Sequence, residues 1–277
     1  GQNISCNGLS NGSIDLTVVG GTTAYTYSWS NAQTTQDVSG LNANTYSVLV
    51  TDVNGCTTTN TITLTQPAFL TNTIAISSNY NGQNISCNGL SNGSIDLTVA
   101  GGTTAYTYSW SNAQTTQDIS GLSANTYSVL ITDVNGCTAT NTITVTQPVL
   151  LTSTVVPATF NGQNISCFGL SNGSIDLTVA GGTTAYTYSW SNALTTQDIS
   201  GLVAGNYSVL VTDVNGCTST QTVTLTQPAV LTTTIAASSN YNGQNISCFG
   251  LTDGSIDLSV AGGTTAYTYS WNNSATT

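Results

Sequence analysis

The sequence contains no lysine, arginine, histidine, glutamate or methionine in its 277 residues, and its eleven acidic residues, all aspartates, give a net charge of −11. A chain without cations cannot neutralise phosphate groups, which excludes nucleic acid as a partner. It also cannot form the basic patch that attracts anionic lipid surfaces. Because there is no His or Lys base, no Glu acid and no cation to stabilise an oxyanion, the sequence predicts a protein that is not an enzyme.

Long hydrophobic runs are absent as well. No stretch approaches the ~20 apolar residues of a membrane helix, so we expect no membrane insertion by this segment. No signal peptide opens the chain, and we expect any export or anchoring signal to lie outside it. The hydrophobic residues, 39% of the total, occur in runs that alternate with polar residues, which predicts folded β-structure and not disorder.

The dominant feature that is present is a repeat. The decamer Gly-Gly-Thr-Thr-Ala-Tyr-Thr-Tyr-Ser-Trp occurs four times without change, at residues 20–29, 101–110, 181–190 and 262–271. Its second half places Tyr25, Tyr27 and Trp29 on one face of a strand. We interpret this face as the core of a small domain, because so small a domain needs its large apolar side chains inside. A platform on which sugars stack is the alternative.

Within one repeat, short alternating runs are separated by turn residues and show no helical period. The second repeat has such runs at 69–77, 94–99, 106–110, 115–119, 127–132 and 138–146. Six or seven short strands in about 80 residues predict an all-β fold of tandem immunoglobulin-like β-sandwich domains. The segment from Leu122 to Tyr127 also resembles the tyrosine corner of that fold.

Proline marks the predicted domain boundaries. Pro67, Pro148 and Pro228 each follow Thr-Gln, where a residue without an N–H suits a junction between strands. The predicted domains are 1–66, which lacks its first strand, 67–147, 148–227, and a truncated domain at 228–277. Because the connections are only a residue or two long, we expect a stiff, rod-like array that is an excerpt from a longer polymer.

The seven cysteines follow the same period. Within each repeat the two cysteines are 50 residues apart, whereas the separation across a boundary varies between 30 and 31. The constant spacing predicts disulfides Cys6–Cys56, Cys87–Cys137 and Cys167–Cys217, each contributing roughly 4 kcal/mol by closing a loop. Buried free thiols are the alternative. Disulfides imply an oxidising, extracellular setting.

The sequence Asp-Val-Asn-Gly precedes the second cysteine of each of the first three repeats and matches the opening of an EF-hand loop. The bidentate Glu of that loop is missing, so we favour an ordinary β-turn and expect no cofactor. Calcium stays open as a weaker alternative at six candidate ligands: Asp52, Asn54, Asp133, Asn135, Asp213 and Asn215.

Several segments together resemble the SprB repeat. They are Ser86-Cys87-Asn88-Gly89, Gly93-Ser94-Ile95-Asp96-Leu97, the aromatic decamer, and the run from Tyr127 to Cys137. This family occurs in large cell-surface adhesins of gliding Bacteroidetes. The resemblance implies export by the type IX secretion system, location in an extracellular filament at the cell surface, and a role in adhesion during gliding.

The functional expectation is the shaft or adhesive array of such an adhesin. Identical repeats suit multivalent weak contacts with surfaces or polysaccharide, and neighbouring repeats of the same long chain are the other expected partners. A carbohydrate-binding array that uses exposed Tyr and Trp is the alternative. A functional amyloid is a third hypothesis, which a cross-β repeat would reveal.

Overall fold

The computed structural model describes residues 3–276, which form β-strands, turns and loops. The chain divides into two compact units, Gly1–Gln147 and Pro148–Thr277. Residues 1, 2 and 277, at the ends of the outer predicted domains, lie outside the described range. Over residues 3–276, no helix has both the length and the apolar character needed to span a membrane.

The first unit contains the predicted first and second repeats. In the first repeat the strands are β1 (Gly12–Ile14), β2 (Tyr25–Trp29), β3 (Val38–Leu41), β4 (Thr45–Asp52) and β5 (Thr57–Thr63). In the second they are β6 (Thr71–Ile76), β7 (Gly93–Ala100), β8 (Tyr106–Trp110), β9 (Ile119–Leu122), β10 (Asn125–Asp133) and β11 (Thr138–Val145).

The second unit repeats this pattern. Its third repeat has β12 (Thr152–Pro157), β13 (Gly173–Ala180), β14 (Tyr186–Trp190), β15 (Ile199–Leu202), β16 (Gly205–Asp213) and β17 (Thr218–Leu225). The last segment contributes β18 (Thr232–Ala237) and β19 (Ile256–Ala261), which pair with each other.

Strand order within a repeat identifies the fold. In the second repeat one sheet has the order β6-β7-β9 and the other β11-β10-β8, with every pair antiparallel. These orders correspond to strands A-B-E and G-F-C of an immunoglobulin domain. The third repeat has the same two sheets, β12-β13-β15 and β14-β16-β17. The prediction of tandem immunoglobulin-like sandwiches is therefore confirmed.

The strand expected at 115–119 is wrong in position, because β9 begins only at Ile119. The preceding residues form a loop that bonds to the core. The Trp110 Nε1–H donates to the carbonyl of Thr116 at 2.9 Å, and the Leu97 N–H donates to Asp118 Oδ1, also at 2.9 Å. The polar residues at 115–118 therefore make these hydrogen bonds to the core and do not pair with a neighbouring strand.

Within residues 3–276 the buried side chains form three clusters, which draw on residues 4–64, 70–145 and 165–225. Each cluster contains one tryptophan from the aromatic decamer, and Trp29, Trp110 and Trp190 are 4%, 3% and 3% exposed. The core interpretation of Trp29 is thus correct. Tyr25 and Tyr27 are only half-buried and pack at the edge of their cluster. The exact domain boundaries remain predictions.

The tyrosine corner is confirmed. The Tyr127 hydroxyl donates to the Ser123 carbonyl four residues earlier, at 3.0 Å. Tyr46 and Tyr207 make the same bond to the carbonyls of Asn42 and Val203, each at 3.0 Å. In every case the hydroxyl of a buried tyrosine donates to a backbone carbonyl two or three residues before the strand equivalent to β10 begins.

The glycine pair of the decamer is required by a close backbone approach. Gly101 and Gly102 have φ values of +77° and +61°, which L side chains rarely adopt. A Cβ on Gly101 would lie 2.0 Å from the Phe69 carbonyl oxygen, and one on Gly102 would lie 2.9 Å from Asp133 Oδ2. The pair lets β7 turn into β8 against the chain that leads into β6.

Candidate functional site

The Asp-Val-Asn-Gly turn joins β10 to β11 and is organised by one buried carboxylate. Asp133 is 3% exposed. Its Oδ1 accepts the N–H groups of Asn135 and Cys137, each at 2.9 Å, and its Oδ2 accepts the Thr103 N–H at 2.8 Å. The Gly136 N–H closes the turn on the Asp133 carbonyl at 3.0 Å. The segment is therefore a β-turn, as the sequence predicts.

Backbone donors keep this carboxylate ionised. Burial raises the pKa of Asp133, but the N–H groups around it lower the pKa by more, so it lies below its ordinary value. The pKa of Asp52, in the same turn of the first repeat, is lowered mainly by the N–H groups of Thr22 and Cys56. The positive ends of N–H dipoles thus take the place of the cations that the chain lacks.

The calcium candidates are already committed to other bonds. Both oxygens of Asp52 and Asp133 accept backbone N–H groups. Asn54 and Asn135 turn their Nδ2 donors toward the hydroxyls of Thr22 and Thr103, at 3.0 and 3.1 Å. Asp213 and Asn215 repeat the arrangement. Nowhere in residues 3–276 do three or more His, Cys, Asp or Glu side chains cluster as a metal site would require. The bonds of the turn aspartate instead fix the position of the cysteine that follows the turn.

That cysteine is bonded to another repeat. Cys6 and Cys137 form a disulfide across 131 residues, with a Cα–Cα distance of 5.6 Å. Cys87 and Cys217 each take part in a disulfide, whereas Cys56, Cys167 and Cys248 are exposed free thiols. The predicted pairs Cys6–Cys56, Cys87–Cys137 and Cys167–Cys217 are therefore all wrong.

The positions of the cysteines along the strands explain why the predicted disulfides within one repeat do not form. Tyr106, at the start of β8, pairs with Asp133 at the end of β10, so the end of β7 and the turn cysteine share one end of the sandwich. Cys87 precedes the start of β7 and lies at the opposite end. A strand of eight residues separates these ends by about 26 Å. The two cysteines of one repeat therefore cannot meet. We call the end of a sandwich that carries the first cysteine its loop end and the end that carries the second cysteine its turn end. The loop end of the first repeat contacts the turn end of the second through Cys6 and Cys137.

A second repeated feature is the outward side of the sheet β8-β10-β11. We call it the hydroxyl-leucine face; in the second repeat it comprises Thr107, Ser109, Thr126, Ser128, Leu130, Thr132, Thr138, Thr140, Thr142 and Thr144. None of these side chains is charged. Leu130 lies between Thr140 and Ser109 on the neighbouring strands, and the hydroxyls of Thr126 and Thr144 lie 2.8 Å apart.

The central leucine of this face is repeated with nearly constant exposure. Leu49, Leu130 and Leu210 are 40%, 41% and 42% exposed. The sequence shows the Thr-x-Thr runs of this face, as at residues 61–65, but they supported only a weak interpretation as ice-binding pairs, and the leucine at the centre of the face was missed. The alternating threonines from Thr138 to Thr144 were the signal that could have found it.

Comparison with known proteins identifies the repeat. The model of a family described as the SprB repeat matches residues 2–34, 79–115, 159–195 and 240–276, slightly more than half of the chain. No curated protein matches the sequence.

Solved structures that this chain is similar to include two adhesion proteins and a set of extracellular domains. A 1.5-MDa bacterial ice-binding adhesin is 16% identical, with 73% of this chain and 84% of that chain covered and a TM-score of 0.36. A tetra-tandem repeat from the extending region of a large adhesion protein is 13% identical, with coverage of 94% and 86% and a TM-score of 0.21. Extracellular domains 3–5 of Drosophila OTK are 10% identical, with coverage of 74% and 86% and a TM-score of 0.29.

Proposed function

Because this chain belongs to the SprB repeat family, we propose that it forms the shaft or adhesive array of a bacterial cell-surface adhesin, exposed outside the cell as a filament. The family further suggests export by the type IX secretion system and a role in gliding by Bacteroidetes. The chain would act by binding and not by catalysis.

The repeated hydroxyl-leucine face carries the proposal. Each of the first three repeats presents an uncharged sheet surface with one exposed leucine among serine and threonine hydroxyls. Hydroxyls and methyl groups suit neutral partners such as polysaccharide or an apolar solid, and they make only weak contacts singly. Repetition along one chain raises the effective concentration of each face once another is bound.

The test uses the whole chain and removes the faces one at a time. Leu49→Ser, Leu130→Ser and Leu210→Ser are combined as single, double and triple variants, and their retention on crystalline cellulose particles and polystyrene beads is measured. With avidity, each added substitution weakens retention by a further factor, and the triple variant loses on the order of a hundredfold.

The matched control removes valines from the neighbouring turns, which are more exposed than the leucines. Val53→Ser, Val134→Ser and Val214→Ser replace side chains that are 63%, 64% and 50% exposed, outside the sheet face. This triple variant should bind like the parent chain. The proposal fails if the parent binds neither material, or if the leucine and valine variants lose binding equally.

The second candidate, a carbohydrate-binding array built on aromatic residues, has less support. Trp29, Trp110 and Trp190 are buried, so they cannot stack on a sugar. The half-buried Tyr25 and Tyr27, their equivalents, and Trp271 of the fourth decamer, which is also half-buried, would be left for that role. Polysaccharide retention that survives loss of the leucines but not of these tyrosines would favour it.

A further inference from the structure

The free thiols are of two kinds, and each kind has a bonded equivalent in this chain. Cys167 and Cys248 occupy the loop position of the bonded Cys6. Cys56 occupies the turn position of the bonded Cys137. The disulfide Cys6–Cys137 therefore joins a loop cysteine of one repeat to a turn cysteine of the next.

The loop has the same hydrogen bonds whether its cysteine is bonded or free. Beside Cys6, the Ser5 N–H donates to Asn11 Oδ1 at 3.3 Å, and Asn11 Nδ2 donates to Ser5 Oγ at 2.5 Å. Beside the free Cys167, Ser166 and Asn172 make the same two bonds at 3.2 and 2.6 Å. The loop does not need the disulfide to take its shape.

The turn is equally independent of the bond. Asp52 Oδ1 accepts the N–H groups of Asn54 and the free Cys56 at 2.9 Å each, the same distances that Asp133 makes to the turn of the bonded Cys137. In the bonded turn, Asn135 Nδ2 also donates across the junction to the Ser5 carbonyl at 3.3 Å. Asn54 is available to make that contact with another loop.

We propose that Cys56, Cys167 and Cys248 are cross-linking sites for a second copy of this chain. Cys56 of one copy bonds Cys248 or Cys167 of another, so that a turn end docks on a loop end as at Cys6–Cys137. Pairs between two loop cysteines or between two turn cysteines should not form, because the docking at Cys6–Cys137 joins a loop end to a turn end. This proposal does not depend on the adhesive role.

The bond requires an oxidant, for which we name a small-molecule disulfide such as oxidised glutathione. A thiolate of the chain attacks the glutathione disulfide and releases one glutathione thiol. The partner cysteine then attacks the mixed disulfide and releases the second. Two protein thiols are oxidised to one disulfide, and one glutathione disulfide is reduced to two thiols.

The test incubates the folded chain with oxidised glutathione and separates the products without reductant. Chymotrypsin then maps the links, since Tyr80, Phe160, Phe168, Tyr241 and Phe249 place cleavage sites between the cysteines, whereas trypsin has none. We expect covalent dimers and longer species joined through Cys56–Cys248 or Cys56–Cys167. Cys56→Ser should stay monomeric, and so should the double variant Cys167→Ser/Cys248→Ser.

A second arm distinguishes docking from chance. The chain unfolded in urea should cross-link with random pairing, including Cys56–Cys56 and Cys167–Cys248. The proposal is overturned if the folded chain gives the same random pattern, if Cys56→Ser cross-links as well as the parent, or if the three thiols end only as mixed disulfides with glutathione.

Discussion

At the scale of single residues, the aspartate of each Asp-Val-Asn-Gly turn brings a negative charge into the protein without a cation to pair with it. Asp133 is held by three backbone N–H groups from two different segments. Such charge-assisted bonds are stronger than those between neutral groups. They connect the turn to the Gly-Gly segment and set the position of Cys137.

Replacing Asp133 with asparagine should destabilise the fold. An amide presents only one acceptor oxygen, so its NH₂ group would face a backbone N–H and leave buried donors unpaired. We expect a loss of about 1–3 kcal/mol in the free energy of unfolding, measured by urea denaturation. Asp96→Asn, in an exposed position of β7, is the control and should change stability little. Equal effects at both positions would contradict this role.

The same carboxylate predicts an acid-dependent stability. Its pKa is lowered in the folded state, so its contribution is present above the unfolded value, about 3.9, and is lost as the pH falls through the folded pKa. The chain has no His or Glu, so stability should be nearly constant between pH 5 and 7. Melting curves from pH 7 to pH 2.5 should show an acid loss that is smaller in Asp133→Asn, and an unchanged loss would count against this assignment.

At the scale of the strand, each repeat is built around one tryptophan and one tyrosine that use their polar atoms as well as their rings. The Trp110 Nε1–H reaches the Thr116 carbonyl, and the Tyr127 hydroxyl reaches the Ser123 carbonyl. These bonds fasten the loops on either side of β9 to the core, so the buried rings also determine the path of the chain between strands.

The tyrosine corner can be tested with a single atom. Tyr127→Phe removes the hydroxyl and leaves the Ser123 carbonyl without this donor, which should cost about 1 kcal/mol in the free energy of unfolding. Tyr108→Phe is the matched control, because the Tyr108 hydroxyl bonds only the Gln117 side chain at a more exposed site. Denaturation curves should shift for Tyr127→Phe and hardly for Tyr108→Phe. The reverse order would refute the corner's stabilising role.

At the scale of the whole molecule, the disulfide Cys6–Cys137 connects two repeats of the first unit and does not close either of them. Each sandwich must therefore be stable through its own core, and Cys6–Cys137 instead restricts the motion of the first repeat against the second. A covalent link at the junction, added to the short peptide connection, transmits tension between repeats by two routes.

The thiol count tests the pairing directly. A thiol reagent added to the native chain should titrate three cysteines, Cys56, Cys167 and Cys248, and all seven after reduction and unfolding. Three disulfides within repeats would leave one reactive thiol, at Cys248. A chymotryptic map without reductant should recover Cys6 joined to Cys137, and recovery of Cys6 joined to Cys56 would refute the observed pairing.

The sequence by itself determined the repeat, the all-β class, most of the strands and the burial of the tryptophans. These features depend on local patterns, namely alternation, turn residues and the size of aromatic side chains, which act within one strand or between neighbours. The tyrosine corner also followed from local spacing.

The disulfide pairing and the hydroxyl-leucine face were decided only by the tertiary structure. A constant separation of 50 residues between Cys87 and Cys137 reports the length of chain between them, but the path of that chain along β7 places them at opposite ends of the sandwich. Likewise, Leu130 becomes the centre of a surface only when β8 and β11 bring Ser109 and Thr140 to its sides. Both depend on which strands become neighbours, and long-range pairing is not encoded in the spacing of residues along one repeat.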